Sequence, residues 1–140
     1  LMKVALIRCL ETEGECGGRH CFQTMENKEG AFKEIEEEIE LVGVTTCGGC
    51  PGDDVEKKVE LMIESNVDAI ILGSCIKLGT PIGYTCPNFD KIKEQIRLVS
   101  QEIKIIDWTH HENFKDILIE RIKTTNFSNL DRFFNQGIKL

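Results

Sequence analysis

Glu40-LVGVTTCGGCPGDDVEKKVELM-Ile63 changes its hydrophobic period halfway along. Glu40 to Thr46 is a short, nearly continuous apolar run, as expected of a strand buried on both faces of a parallel sheet. From Val55 onward the apolar residues Val55, Val59, Met62 and Ile63 fall at i, i+4, i+7 and i+8, which is one face of a helix. Between the two lies Cys47-Gly48-Gly49-Cys50-Pro51-Gly52, and Asp53 with Glu56 marks the helix start as a capping-box variant. The hexapeptide is therefore expected in a strand-to-helix turn.

The same strand–helix alternation extends to both sides. Apolar runs recur at Lys3 to Arg8, Asp68 to Gly73 and Lys104 to Trp108. Helical stripes are formed by Phe89, Ile92, Ile96 and Val99, and by Phe114, Ile117, Leu118 and Ile122. Before the second strand, Phe32, Ile35 and Ile39 read as the apolar face of another helix, with Glu34, Glu36, Glu37, Glu38 and Glu40 on its solvated side. The pattern predicts a three-layer, doubly wound α/β fold of the Rossmann or flavodoxin kind. Its four parallel strands take the order 2-1-3-4 under right-handed crossovers, with the switch point between the first and third. Long loops are expected from Leu10 to about Met25 and from Ile76 to Cys86, both leaving one rim of the sheet.

The chain has 140 residues, 41% of them hydrophobic, which suits one core. We read residues 2–123 as that domain and 124–140 as a tail in which Phe127, Leu130, Phe133 and Phe134 form a short packing helix with a homodimer contact as its further use. Leu1 reads as a leftover ahead of the natural start at Met2, and the run from Val4 to Ile7 is too short for a signal or membrane segment. A cytoplasmic protein is expected. Seventeen Lys and Arg against 24 Asp and Glu give a net charge of −7, which argues against a nucleic-acid partner. The seven cysteines are an odd number, more suited to metal ligands or catalytic thiols than to a closed disulfide framework.

The predicted fold gathers these cysteines. Cys9, Cys47, Cys50, Cys75, Cys86 and His110 all fall beside strand ends that share a rim. The two-residue spacer of Cys47 and Cys50 lets both sulfurs reach one ion at about 2.3 Å, and equally suits a dithiol that closes as a disulfide. Cys86, with Pro87 at a first helical position, is expected near an N-cap, where the helix dipole would lower its pKa. Thr109 and Glu112 fit a capping box, which puts His110 in a first helical turn as a neutral imidazole and turns His111 away from it. Cys9 and Cys75 end apolar strands on either side of the switch point. Cys16, His20 and Cys21 fall in the first long loop and could form a second, weaker site.

Arg8-Cys9, Cys47-Gly48-Gly49-Cys50-Pro51-Gly52, Cys75, Cys86-Pro87 and Thr109-His110, in that order on the strands, resemble the CGGC-domain family. The resemblance spans about Met2 to Ile122. These are small cysteine- and histidine-rich proteins of archaea and anaerobic bacteria for which metal binding has been proposed. Carried over by position, it touches Cys9, Cys16, Cys47, Cys50, Cys75, Cys86 and His110. Asn88 departs from the pattern, since such proteins often have histidine there.

The expected function is metal binding by a Cys/His site at the carboxyl edge of the sheet, with zinc or an iron–sulfur cluster as cofactor and a link to redox chemistry. An all-cysteine set favours iron–sulfur, and one that includes His110 leans toward zinc. One alternative is a thiol–disulfide oxidoreductase using Cys47 and Cys50, with a redox partner protein; no cis-proline is evident near that pair. A second is a small-molecule binding or sensor domain, with Gly79 to Tyr84 as a lid, although no phosphate-binding glycine motif follows the first strand.

Overall fold

A computed structural model describes residues 1–110 together with 119, 122 and 123. The stripe at Phe114, Ile117, Leu118 and Ile122, the tail from 124, His111 and Glu112 lie wholly or mainly outside the described residues. Within them the strands are β1 (Met2–Arg8), β2 (Ile39–Thr46), β3 (Ala69–Leu72) and β4 (Lys104–Ile106), and the helices are α1 (Arg19–Asn27), α2 (Val55–Glu64), α3 (Ser74–Lys77) and α4 (Phe89–Val99). All strand pairs are parallel and the order is β2-β1-β3-β4, as the period changes predict.

Burial on both faces explains the apolar runs. Val4 to Ile7 and Ala69 to Leu72 are fully buried, because the two central strands are covered above and below. Alternate residues serve opposite layers. Ala5, Ile7, Ile70 and Leu72 pack with Val55, Val59 and Met62 of α2 and Ile92 and Ile96 of α4. Val4, Leu6, Ala69 and Ile71 pack with Cys21 and Met25 of α1 and with Phe32. Right-handed crossovers place the helices this way. A bulge at Val42, between Leu41 paired to Val4 and Gly43 paired to Ala5, shifts the β1–β2 register. Beyond the strands the ladder continues onto the rim, with the Cys47 N–H donating to the Arg8 carbonyl at 2.7 Å and the Gly73 N–H to the Ile7 carbonyl at 2.9 Å.

The first crossover corrects the sequence reading. Its helix is Arg19–Asn27, inside what was expected to be a loop, and residues 33–38 are non-helical. Glu34 and Glu38 would repel at i, i+4 on a helix. Lys28 instead donates to the carbonyls of Ile35 and Glu37 and holds that segment in another conformation. Phe32 is still buried, but from a single 3₁₀ turn, Gly30–Phe32. Among the described residues no helix is long and apolar enough to cross a membrane.

Candidate metal centre

Cys9 is the first residue past β1 and caps a 3₁₀ turn, Leu10–Thr12. Its N–H donates to Cys75 Sγ at 3.2 Å, so two cysteines 66 residues apart meet across the switch point. Thr12, fully buried, donates its hydroxyl to the Cys9 carbonyl at 2.8 Å and also hydrogen-bonds the Cys75 sulfur. Burial pushes the Cys9 thiol from its ordinary 9.0 up to about 11; backbone hydrogen bonds from Glu11 and Thr12 oppose this, and the sulfurs of Cys75 and Cys47 add to it. The Cys75 thiol is likewise raised by burial, against the hydrogen bonds from Cys9 and Thr12.

The turn after β2 depends on Gly48 and Gly49, whose φ of 80° and 98° lie in the left-handed region. A side chain at Gly48 would also press within 3.2 Å of Asp54 Cβ and of Lys58 Nζ, which itself donates to the Thr46 carbonyl at 2.8 Å. The result is an asymmetric pair: Cys47 is 7% exposed within the apolar layer, whereas Cys50 is exposed to solvent. The helix that follows has Asp54 at its N-cap without a side-chain cap bond, and Asp53 instead pairs with Lys91 at 2.6 Å. Peptide bonds Cys50–Pro51 and Thr80–Pro81 are cis, which corrects the expectation that none lies near the pair.

Cys86 departs from expectation in its electrostatics. Helix α4 begins at Phe89 with Asn88 at its N-cap, so the sulfur sits ahead of the helix end and receives the Asn88 N–H at 3.3 Å. Burial outweighs that bond, and the thiol is raised, with the sulfurs of Cys50 and Cys47 adding to the rise. Cys9, Cys47 and Cys75 belong to one apolar cluster, against which the half-buried Cys86 packs.

His110 follows β4, at the corner where the chain meets α3. β4 lies three strand spacings, about 14 Å, from β2, and the chain beyond it turns toward α1. The Ala31 N–H donates to the Thr109 carbonyl at 3.0 Å, and Thr109 Oγ1 lies 3.2 Å from Cys21 Sγ. Ser74 locks this corner: its Oγ accepts the Thr109 and His110 N–H groups at 2.9 Å each and reaches the His110 carbonyl at 2.6 Å. The Thr109 hydroxyl, expected as a helix cap, also receives the Ser74 N–H at 3.2 Å. The His110 ring stands 5.5 Å from that of His20, centroid to centroid. Cys21, buried on α1, has a thiol raised by burial and by the Cys16 sulfur, and lowered by the Thr109 hydroxyl and the Arg8 charge. Arg8 also donates to the Cys16 carbonyl. Sequence reasoning missed Thr12, Ser74 and the approach of His20 to His110; the two hydroxyl residues carry no spacing signal.

All seven cysteines are free thiols. Among the described residues no group of three or more His, Cys, Asp or Glu side chains is spaced to hold a metal ion as it stands. The donor chemistry nevertheless suits a thiophilic metal, since Cys9, Cys75 and Cys86 each receive backbone hydrogen bonds of the kind that stabilise bound thiolates. A crevice of about 250 Å³ between β2 and α2, lined by Val42, Val44, Lys58, Leu61 and Met62 among others, lies along the edge strand.

Comparison with known proteins agrees with this cysteine pattern. The family model described as CGGC domain matches residues 3–110. Over 115 residues the chain is 36% identical to a Methanocaldococcus jannaschii protein named "Uncharacterized protein MJ0582", covering 78% of this chain and 87% of that protein. No solved structure matches it significantly. A CGGC domain with seven cysteines is consistent with a metal-binding role.

Proposed function

The chain belongs to the CGGC-domain family, and from that premise we propose that it binds a thiophilic metal at the carboxyl rim of its sheet through sulfurs drawn from Cys9, Cys47, Cys50, Cys75 and Cys86. The observation that carries this reading is the meeting of Cys9, Cys47, Cys75 and Cys86 around one apolar cluster, with backbone N–H groups directed at three of the four sulfurs. Thiolates so buried repel one another, and a cation among them relieves both burial and repulsion. Loading draws in the Cys47–Cys50 turn, whose outer sulfur is exposed. Zinc would supply a fixed positive charge there, and an iron–sulfur cluster one-electron chemistry. The His110 ring lies beside that of His20.

Metal analysis and an absorbance spectrum of anaerobically purified protein test the proposal. We expect a near-stoichiometric metal, lost when Cys47 and Cys50 are both replaced by serine. Less than about a tenth of an equivalent of any transition metal overturns it. The unequal exposure of Cys47 and Cys50 favours one second reading, a dithiol that exchanges with a partner's disulfide, Cys50 attacking and Cys47 resolving. A pair that stays reduced across a glutathione redox series excludes it.

A further inference from the structure

Among the described residues the longest strand is also an open edge of the sheet. β2 has eight residues and pairs there only with β1, whereas the opposite edge, β4, has three. Natural edges of that length are blunted by proline or by charge, yet Ile39–Thr46 has no proline and no charged residue except Glu40. Its outward backbone groups can be named. The Met2 N–H donates to the Glu38 carbonyl and the Cys47 N–H to the Arg8 carbonyl, so residues 38 and 47 both address β1. Counting alternately inward from each, Ile39 and Leu41 at one end and Val44 and Thr46 at the other turn their N–H and C=O groups away from β1. The bulge at Val42 absorbs the change of phase between the two counts. The Thr46 carbonyl agrees with this, since it accepts from Lys58 Nζ at 2.8 Å.

We propose that β2 is a homodimer edge: it pairs antiparallel with β2 of a second copy of this chain about a two-fold axis between Val42 and Gly43, joining two four-stranded sheets into one. A second copy is the occupant because the outward set is self-complementary. In that register Ile39 faces Thr46 and Leu41 faces Val44, and all four present outward backbone groups, so each is a hydrogen-bonded pair. Charge is matched as well. Glu40 falls opposite Thr45 of the second copy, and its side chain lies on the α2 face, because its β1 partner Lys3 alternates with Met2 and Val4 of the α1 layer. Lys58, on α2, holds its Nζ beside Thr46 and so within reach of the incoming Glu40 carboxylate. The two-fold repeats this pairing at the other end. Among the described residues neither Glu40 nor Lys58 has an ion-pair partner within its own chain. The apolar surface fits the same axis: Val44 and Leu61 are 48% and 60% exposed and border the crevice between β2 and α2. A two-fold perpendicular to the sheet keeps both α2 helices on one face, where the two crevices meet and close against water.

Sedimentation equilibrium of the full-length protein in reducing buffer tests the edge, and the mass should be twice the 15.9 kDa of the chain. Glu40→Lys and Lys58→Glu should each weaken dimerisation about tenfold, because like charges then meet at both ends of the strand pair. Combining the two reversals in one chain should restore it. Val44→Lys, at an exposed edge position, should give a monomer without touching the contact of Lys58 with Thr46. Circular dichroism verifies each fold, and if Lys58→Glu does not fold, Glu40→Lys and Val44→Lys decide. The protein with Cys47 and Cys50 both replaced by serine should keep the doubled mass, which separates strand pairing from copies joined through metal or thiols. A monomeric wild type overturns the proposal, as does loss of the dimer in the double-serine protein. So does a dimer indifferent to Val44→Lys and Glu40→Lys, the result expected if the tail joined the copies, or one that the double reversal fails to restore.

Discussion

Cys50 and Cys9 carry the same side chain in opposite circumstances. Cys50 is exposed, while Cys9 is 8% exposed and its thiol is pushed up to about 11. Because only the thiolate attacks, a maleimide or iodoacetamide pulse at pH 8 should label Cys50 first and Cys9, Cys21 and Cys75 last, as read by peptide mass spectrometry. Labelling of Cys9 as fast as that of Cys50 would contradict the burial described above. A pH dependence follows from the same groups. Cys9, Cys21, Cys75 and Cys86 all hold their protons more tightly when folded. Below the ordinary thiol value both states are protonated and nothing is lost. Above it the unfolded chain ionises first, so stability should fall as pH rises past about 9, and the Cys9 share of that loss levels off beyond about pH 11, its folded value. The urea midpoint across that range checks this in the absence of added metal. Sequence could name Cys9 and Cys75 because each ends an apolar run, and Cys86 because Pro87 after it marks a helix start, but the sign of the effect at Cys86 was not legible. It depends on where α4 begins and how deeply the sulfur is covered, and two residues, Pro87 and Asn88, separate Cys86 from Phe89.

At the scale of elements, the corner where α3, β4 and α1 meet is held by polar groups sealed from water. Ser74 and Thr109 are both fully buried, and Ser74 Oγ alone serves the N–H groups of two residues. Ser74→Ala should therefore destabilise the protein by about 1–3 kcal/mol, since two buried amides lose their acceptor. Chemical denaturation measures it, and a change below about 0.5 kcal/mol would show that water replaces the hydroxyl. Gly30 is a second dependence. With φ of 52° and a Cβ position that collides with the Thr109 carbonyl oxygen, it lets the chain after α1 lie against Thr109, and Gly30→Ala should cost more than Ser74→Ala. Two of the three crossovers, those carrying α2 and α4, could be placed from period alone. α1 escaped because its buried face is Cys21, Thr24 and Met25, residues that do not register as an apolar stripe. The stripe at Phe32, Ile35 and Ile39 misled because a bent segment lying on a sheet buries alternate side chains as well as a helix does.

For the whole molecule, strand order was the most legible property, because four apolar runs joined by right-handed crossovers leave few arrangements. That order placed Cys9 beside Cys75 before any coordinates. What it left unseen was the division of the rim into two sides, since a strand order does not say toward which layer a residue past the strand will turn. If the sulfur set holds metal as proposed, binding should stabilise the native chain as a whole. At free metal 100-fold above its dissociation constant the gain is about 2.7 kcal/mol, and the melting midpoint should rise with zinc or with cluster reconstitution, an increase absent when Cys47 and Cys50 are both replaced by serine. The placement of β1 between β2 and β3 has a bearing on biosynthesis. The first strand to leave the ribosome pairs with the next two, so the Cys9–Cys75 contact must wait until residue 75 has been made. A nascent chain that has not reached that point thus offers Cys47 and Cys50 with Cys9 but without Cys75 or Cys86, and a firmly held metal would certify that synthesis had passed residue 86.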